Sequence, residues 1–227
     1  MDIGYSTLPL KFSRRAPDEM ATTAAAFKDH MARRRSVRHF ASDPIPLDVV
    51  RDCIATACTA PSGANKQPYT FCLVTDPAIK SAIREAAERE EYENYHGRMP
   101  AEWVRELQPL GTDYLKPHLE DAPALIAVFR KSWEPEADGT RARNYYVAES
   151  TGIAVGFLIA ALHHAGLACL THTPAPMDFV GRILGRPEHE KAYLILPVGY
   201  PTLDCQVPDI QRKDINDLLV EFPGEQG

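Results

Sequence analysis

The chain has 227 residues, 44% hydrophobic and 25% charged, with 25 Lys+Arg against 31 Asp+Glu and a formal net charge of −6. That length can bury a substantial core, and the balanced composition excludes disorder, collagen-like repeats and a disulfide scaffold. The acidic surplus leaves no footprint for bulk nucleic-acid binding, although a local basic patch can still hold one phosphate, so a small partner is expected.

A Pro-containing lead-in over residues 7–17 reads as an extended arm of the kind that wraps a partner subunit, and a helix is expected over residues 20–35. Arg34-Arg35-Ser36-Val37-Arg38 follows, then the breaker Ser42-Asp43-Pro44-Ile45-Pro46. Val50, Cys53, Ile54 and Ala57 fall at the i, i+3, i+4, i+7 spacing of an amphipathic helix, which stops at Pro61-Ser62-Gly63-Ala64-Asn65. Residues 69–74 read as a strand, and Asp76-Pro77 opens the next helix with Asp at the N-cap and Pro at the first helical position. Residues 94–120 are mixed, with Trp103, Leu107, Leu110, Tyr114 and Leu115 as apolar points and Pro100, Pro109 and Pro117 as breaks, which suggests an excursion from the core.

A second buried strand is expected over residues 124–129 and a turn at Gly139. Val147, Thr151, Ala154, Val155, Leu158 and Leu162 then form a helical stripe closed by Gly166. A third strand over residues 167–171, a short helix over residues 179–184 ending at Gly185, and a fourth strand over residues 193–198 complete the core, and a long tail follows Pro201. Strands and helices alternate without repeats or low-complexity linkers, so one α/β or α+β domain spanning residues 1–227 is expected. The apolar stretch over residues 147–162 is interrupted by Glu149, Ser150 and Thr151, and reads as a buried helix rather than a membrane span. Cys53, Cys58, Cys72, Cys169 and Cys205 are scattered, lack CxxC spacing and read as buried small hydrophobes. Residues 1–32 show no continuous apolar run of the secretory type, so a soluble, cytoplasmic chain is expected.

Neither GxGxxG nor GxxxxGK[ST] is present, so a bound phosphate would need arginine side chains. Arg34, Arg35 and Arg38 read first as a solvated basic helix end and second as a set of bidentate phosphate ligands. Pro61-Ser62-Gly63-Ala64-Asn65 is equally a tight turn or a loop whose amides and Ser62 hydroxyl face a ligand. Thr171-His172-Thr173-Pro174 follows a strand, placing hydroxyls at its carboxyl end, where α/β folds bind ligands. His172 itself reads as structural or solvated, since no nucleophile or carboxylate partner is identifiable by spacing. Glu91 and Tyr95 share a helical face, and with Lys116 they combine a carboxylate, a phenol and an ammonium that suit a zwitterion, although a solvated charged surface is the plainer reading. No set of His, Cys and carboxylates has metal-ligand spacing, so no metal is expected.

Arg34-Arg35-Ser36-Val37-Arg38, Ala60-Pro61-Ser62-Gly63-Ala64, Thr171-His172-Thr173-Pro174 and Leu196-Pro197-Val198-Gly199-Tyr200-Pro201 together resemble the flavin-binding nitroreductase superfamily. Residues 91–103, Leu115-Lys116, Ala160-Ala161-Leu162, Leu184-Gly185-Arg186-Pro187, Val207-Pro208-Asp209 and Arg212-Lys213 narrow the likeness to the iodotyrosine deiodinase family. The likeness runs from about residue 8 to beyond residue 213.

The resemblance implies an α+β, three-layer nitroreductase-like fold, with a central mixed sheet flanked by helices, in a domain-swapped homodimer. It further implies an N-terminal arm and helix over residues 1–32, an active-site lid over residues 91–116 and a C-terminal extension over residues 201–227. FMN would be held by Arg34, Arg35, Ser36, Arg38 and Arg212, lined by Pro61 and Ser62, with Thr173 offering its hydroxyl to flavin N5 and Thr171 and His172 beside it. Ala64 would give its backbone N–H to the substrate phenolate, while Glu91, Tyr95 and Lys116 hold the amino-acid ammonium and carboxylate. The implied reaction is reductive dehalogenation of 3-halotyrosine, with Thr173 and Ala64 as the catalytic positions and electrons ultimately from NAD(P)H, directly or through a flavin reductase or ferredoxin. The same superfamily also holds broad nitro and quinone reductases and a flavin-fragmenting enzyme, and a non-catalytic halotyrosine sensor is a further alternative. The animal deiodinases carry an N-terminal membrane anchor for which this sequence shows no counterpart, and His172 and Lys66-Gln67 depart from their pattern.

Overall fold

Residues 124–129 are continuously apolar, as a strand must be when both of its faces are covered. In the computed structural model, which describes residues 4–224, this segment is strand β2 (Ala124–Lys131), and its alternating side chains belong to two separate cores. Ala124, Ile126 and Val128 face helices α2 (Leu47–Cys58) and α6 (Val147–His164), meeting Val50, Cys53, Ala57, Val155, Leu158 and Leu162. Leu125, Ala127 and Phe129 face α3 (Pro77–Glu93), α5 (His118–Asp121) and α7 (Asp178–Ile183), meeting Ile83, Ala87, Leu119 and Val180. The result is helix, sheet, helix, the three-layer α+β arrangement expected from the resemblance.

The sheet has four strands in the order β1-β2-β6-β5, where β1 is Tyr69–Val74, β6 is Glu190–Gly199 and β5 is Ala168–Cys169. All three ladders are antiparallel, with Val74 opposite Leu125, Ala124 opposite Val198 and Ala168 opposite Gly199. The parallel component of the expected mixed sheet is confined to one bridge, between Ser36 and Cys169. Expected and observed elements coincide for β1 and nearly so for α6, but the third strand shrinks from residues 167–171 to two residues. Beyond Cys169 the backbone keeps one further pairing with β6, at His172 and Ile195. A short hairpin of β3 (Trp133–Pro135) and β4 (Arg141–Arg143) surrounds the turn read at Gly139, whose φ is +83°.

The chain divides after Arg34 into a short unit and a main body. The short unit carries α1 (Pro17–Ala32), which starts earlier than expected because Pro17 takes the first turn with Asp18 and Glu19 and needs no donor there. None of its residues is buried within the chain. Helix α6 is long and apolar enough to span a membrane by composition alone, yet its Ala154, Val155, Leu158 and Leu162 stripe packs into the core. All five cysteines are free thiols; Cys53 and Cys169 are buried as expected, whereas Cys58 lies on the exposed side of α2.

Gly199 ends β6 where the chain passes closest to its neighbours. A β-carbon there would stand 2.6 Å from Cδ of Pro123 and 3.2 Å from Cδ1 of the buried Phe40, two groups with little freedom to give. Gly199→Ala is expected to destabilise the chain by about 1–3 kcal/mol, read as a lower urea midpoint at unchanged slope.

Candidate active site

Helix α3 begins where Asp76 accepts hydrogen bonds from the backbone N–H groups of Ala78 and Ile79, at 2.8 and 3.0 Å. Its inner stripe of Lys80, Ile83 and Ala87 runs toward Glu91, and a π-helical turn over Asn94–Arg98 then carries Tyr95 onto the same side. The Lys80 ammonium donates to the carbonyls of Glu120 and Ala122 at 2.8 and 2.7 Å, tying α5 to α3 by its C-terminal end. Glu88 accepts from the Lys116 backbone N–H at 2.7 Å and from Arg84 Nε at 2.9 Å, so the segment leading into α5 is also fixed to α3.

These anchors bring Lys116 Nζ to 3.7 Å from Glu91 Oε2, with Lys116 only 3% exposed. That separation is within ion-pair range and beyond hydrogen-bond reach. Lys116 Nζ donates instead to Thr112 Oγ1 at 3.2 Å and to the Asp113 carbonyl, and lies 5.6 Å from the centre of the Tyr95 ring. The Tyr95 hydroxyl donates to the Thr112 carbonyl at 3.2 Å. Burial dominates the titration of all three: it raises the Glu91 carboxyl and the Tyr95 phenol and lowers the Lys116 ammonium, while the attraction between Glu91 and Lys116 only partly opposes it.

The trio lines a cavity of about 160 Å³ whose far wall comes from the segments beside and beyond β5. Residues 35–38 run beside β5, where Val37 N–H donates to the Cys169 carbonyl at 3.3 Å. Thr171-His172-Thr173 is pinned to β6 by two 2.9 Å hydrogen bonds exchanged between the backbones of His172 and Ile195. Arg38, Thr171, His172 and Thr173 therefore share the cavity with Glu91, Tyr95 and Lys116, and Met99, Trp103, Leu107 and Leu110 form its apolar side. Burial lowers the Arg38 guanidinium from its ordinary value.

His118 is among the lining residues that the sequence did not single out. His118, the first residue of α5, stacks edge to face against His172 with ring centroids 5.4 Å apart, and the Nε2 atoms of both are buried without a hydrogen-bond partner. Burial, with Lys116 and Arg38 nearby, pushes His118 down to about 3 and holds His172 well below the usual imidazole range. Isolated in sequence, neither histidine carries a periodic or spacing signal that pairs them.

Other expected site residues lie elsewhere. Pro61, Ser62 and Ala64 do not line this cavity. They form a loop in which Ala64, Asn65 and Gln67 all adopt positive φ, at 49°, 55° and 47°. Ser62 holds that loop through its carbonyl and hydroxyl, which accept from Asn65 N–H and Gln67 N–H at 3.0 and 2.9 Å. Gly63 lies so close to Tyr146, itself left-handed at the start of α6, that a β-carbon would stand 2.7 Å from the ring. Ala64 is exposed, and its N–H has no intramolecular partner among the described residues. Arg35 and Ser36 also lie outside the cavity lining, and the Arg35 guanidinium donates to the Pro208 carbonyl of the tail. Arg212 is exposed in that tail, and Arg34 closes the short unit.

A three-layer fold with an arginine-bearing segment beside a short strand and a hydroxyl-rich loop at its end defines a class, and the family model for the nitroreductase family matches residues 31–200. The chain belongs to that family. It is 53% identical over 215 residues to iodotyrosine deiodinase of Haliscomenobacter hydrossis, covering 95% of this chain and 97% of that one. Iodotyrosine deiodinase of Drosophila melanogaster is 47% identical over 195 residues, 85% of this chain and 68% of its own. Among solved structures, oxidized iodotyrosine deiodinase bound to FMN and 3-iodo-L-tyrosine superposes with a TM-score of 0.74 at 31% identity, covering 87% of this chain and 99% of that one.

The buried histidines set a pH dependence. An unfolded chain takes up a proton at each imidazole near pH 6.5, whereas the folded chain resists it until about pH 3 at His118. Their contribution is therefore fully present above about pH 6.5 and is lost progressively as pH falls toward 3, by up to about 1.4 kcal/mol per pH unit for each group. Urea unfolding of the chain without added ligand should weaken between pH 6.5 and 4.5, and His118→Phe should flatten that slope.

Proposed function

We propose that the chain is an FMN-dependent reductive dehalogenase of 3-halotyrosines that converts iodotyrosine to tyrosine and iodide. The observation that carries this reading is the buried Glu91, Tyr95 and Lys116 trio, which shares one cavity with the Thr171-His172-Thr173 loop. A nitro or quinone reductase has no use for a buried carboxylate and ammonium held at this spacing, whereas the two charged groups of an amino acid answer both.

The residues present suit a flavin. Arg38 presents a half-buried guanidinium, the Nε2 atoms of His118 and His172 lack partners, and the Ala64 amide is unclaimed among the described residues. Arg35, Ser36 and Arg38 would hold the phosphate and ribityl chain, joined by Arg34 and Arg212 from their places in the sequence. Pro61 and Ser62 would line the ring, with Thr171 and His172 beside Thr173. Bound FMN supplies the two electrons that, with one proton, replace the carbon–halogen bond by carbon–hydrogen and release halide.

The chain's own groups do the rest. Glu91 receives the substrate ammonium, and Lys116 and Tyr95 receive its carboxylate, which restores to both charged side chains the partners that burial denies them. The Ala64 N–H donates to the phenolate oxygen and stabilises the charge there. The Thr173 hydroxyl, which lines the cavity, would donate to flavin N5. Met99, Trp103, Leu107 and Leu110 exclude water above the halogenated ring, so residues 91–116 act as a lid.

Because Ala64 and Ser62 do not share the cavity that Thr173 lines, a second copy completes the site in a homodimer. Leu8, Leu10 and Phe12 of the short unit, Ile153 and Phe157 of α6, and Leu218, Val220 and Phe222 of the tail are exposed large hydrophobics that such a partner would cover. Reducing equivalents come ultimately from NAD(P)H, directly or through a separate reductase or ferredoxin.

The test is to titrate the FMN-loaded protein with 3-iodo-L-tyrosine, tyrosine and iodophenol while following flavin fluorescence. Tight quenching by 3-iodo-L-tyrosine alone is expected. Lys116→Ala should weaken that binding by a factor of at least ten with FMN retained, since it leaves Glu91 buried beside an uncompensated ligand carboxylate. Undiminished affinity in Lys116→Ala, or indifference of the parent to all three compounds, would leave a flavin reductase with an unrelated substrate.

A further inference from the structure

The lid and the hydroxyl-bearing loop approach each other at a point that none of the assigned roles explains. Asn94 lies between Glu91 and Tyr95 in the π-helical turn, is only 6% exposed, and donates from Nδ2 to the Ala175 carbonyl at 3.0 Å. Arg98 Nη1 reaches the same carbonyl at 3.2 Å, the Asn94 Oδ1 at 3.3 Å and Glu90 Oε2 at 2.8 Å. Ala175 stands two residues beyond Thr173, on the segment that β6 pins at His172.

The geometry has a direct physical consequence. Asn94 and Tyr95 follow Glu91 by three and four residues, so both fall on the face of the helix that carries Glu91, and Asn94 is the more deeply buried of the two. Both ends of the Asn94 amide are used, the oxygen by Arg98 and the nitrogen by Ala175, in surroundings where an unmade hydrogen bond is costly. The ion pair between Arg98 and Glu90 is partly exposed and holds little by itself, but it keeps the guanidinium aimed at the carbonyl. A shift of Glu91 or Tyr95 toward a ligand therefore cannot leave Asn94, and with it Ala175, where they were.

We propose that Asn94 and Arg98 are positioning residues, which couple occupancy of the Glu91, Tyr95 and Lys116 clamp to the placement of the Thr171-His172-Thr173 loop through the Ala175 carbonyl. This rests on the halotyrosine reading above. Substrate that orders the lid tightens the two hydrogen bonds on Ala175 and fixes the Thr173 hydroxyl; with the clamp empty, those two bonds are free to loosen while the backbone pairing of His172 with Ile195 persists. By reciprocity, whatever fixes the loop strengthens zwitterion binding by the same factor.

The experiment uses the FMN-loaded full chain with and without 3-iodo-L-tyrosine, combining flavin-fluorescence titration with amide hydrogen–deuterium exchange. In the parent protein the ligand should slow exchange over residues 91–116 and over residues 171–175 together. In Asn94→Ala, protection over residues 91–116 should persist while that over residues 171–175 disappears, with affinity weaker by roughly tenfold and FMN still bound. Asn94→Asp keeps the size and the Arg98 contact but removes the donor to Ala175, so it should behave like Asn94→Ala even if the smaller side chain disturbs folding. Ligand-induced protection of residues 171–175 that survives in Asn94→Asp would overturn the coupling while leaving the halotyrosine reading intact. A parent protein that does not bind 3-iodo-L-tyrosine would overturn both.

Discussion

Everything distinctive about this chain depends on an ammonium and a carboxylate being taken out of water without being allowed to meet. Desolvating a charge costs several kcal/mol, which a tight pair recovers by direct hydrogen bonding. At 3.7 Å, Lys116 and Glu91 recover only part of it, and both are displaced toward their neutral forms. Such an arrangement is poor for stability and well matched to a ligand that brings one charge of each sign. The Glu88 and Lys80 contacts that fix Lys116 and α5 against α3 are what prevent the pair from relaxing.

The sheet supplies the opposing wall. Because β2 and β6 are buried on both faces, they are rigid, and the Thr171-His172-Thr173 loop inherits that rigidity through Ile195. The two walls of the cavity are thus held against each other: α3 carries the clamp, and β6 pins the loop that carries the hydroxyls. The neutral imidazoles of His118 and His172 fill the space between them without adding a further cation to Arg38 and Lys116.

Much of this was legible in the residues and some was not. Asp76-Pro77 announced the start of α3 because capping is local chemistry, and the Val147 to Leu162 stripe announced α6 because a buried face must repeat. Strand β5 was read in the right place but too long, whereas the three-residue strands β3 and β4 were beyond pattern reading: the hairpin is held by its turn and by Arg141 stacked 4.2 Å from the Trp133 ring, neither of which leaves a period. The clamp residues could be named from resemblance, but not the carbonyls and carboxylates that aim them. Glu88 looks like any surface glutamate, and Asn94 becomes meaningful only once the fold brings the Ala175 carbonyl against it. His118 was hidden for the same reason, since its partner lies more than fifty residues away on a different layer.

The loop around Ala64 holds three non-glycine residues in the left-handed region, each of which costs on the order of 1–3 kcal/mol relative to relaxed backbone. In the role proposed for it, its working atom is a main-chain nitrogen, so substitution of the side chain at that position erases nothing directly. What evolution can act on is the shape of the turn, through the Ser62 hydroxyl and the Gly63 contact with Tyr146. Glycine at Asn65 or Gln67 would relieve the strain and make the protein hardier, at the expense of a fixed direction for one amide. Selection for heat tolerance and selection for turnover would therefore pull this loop in opposite directions.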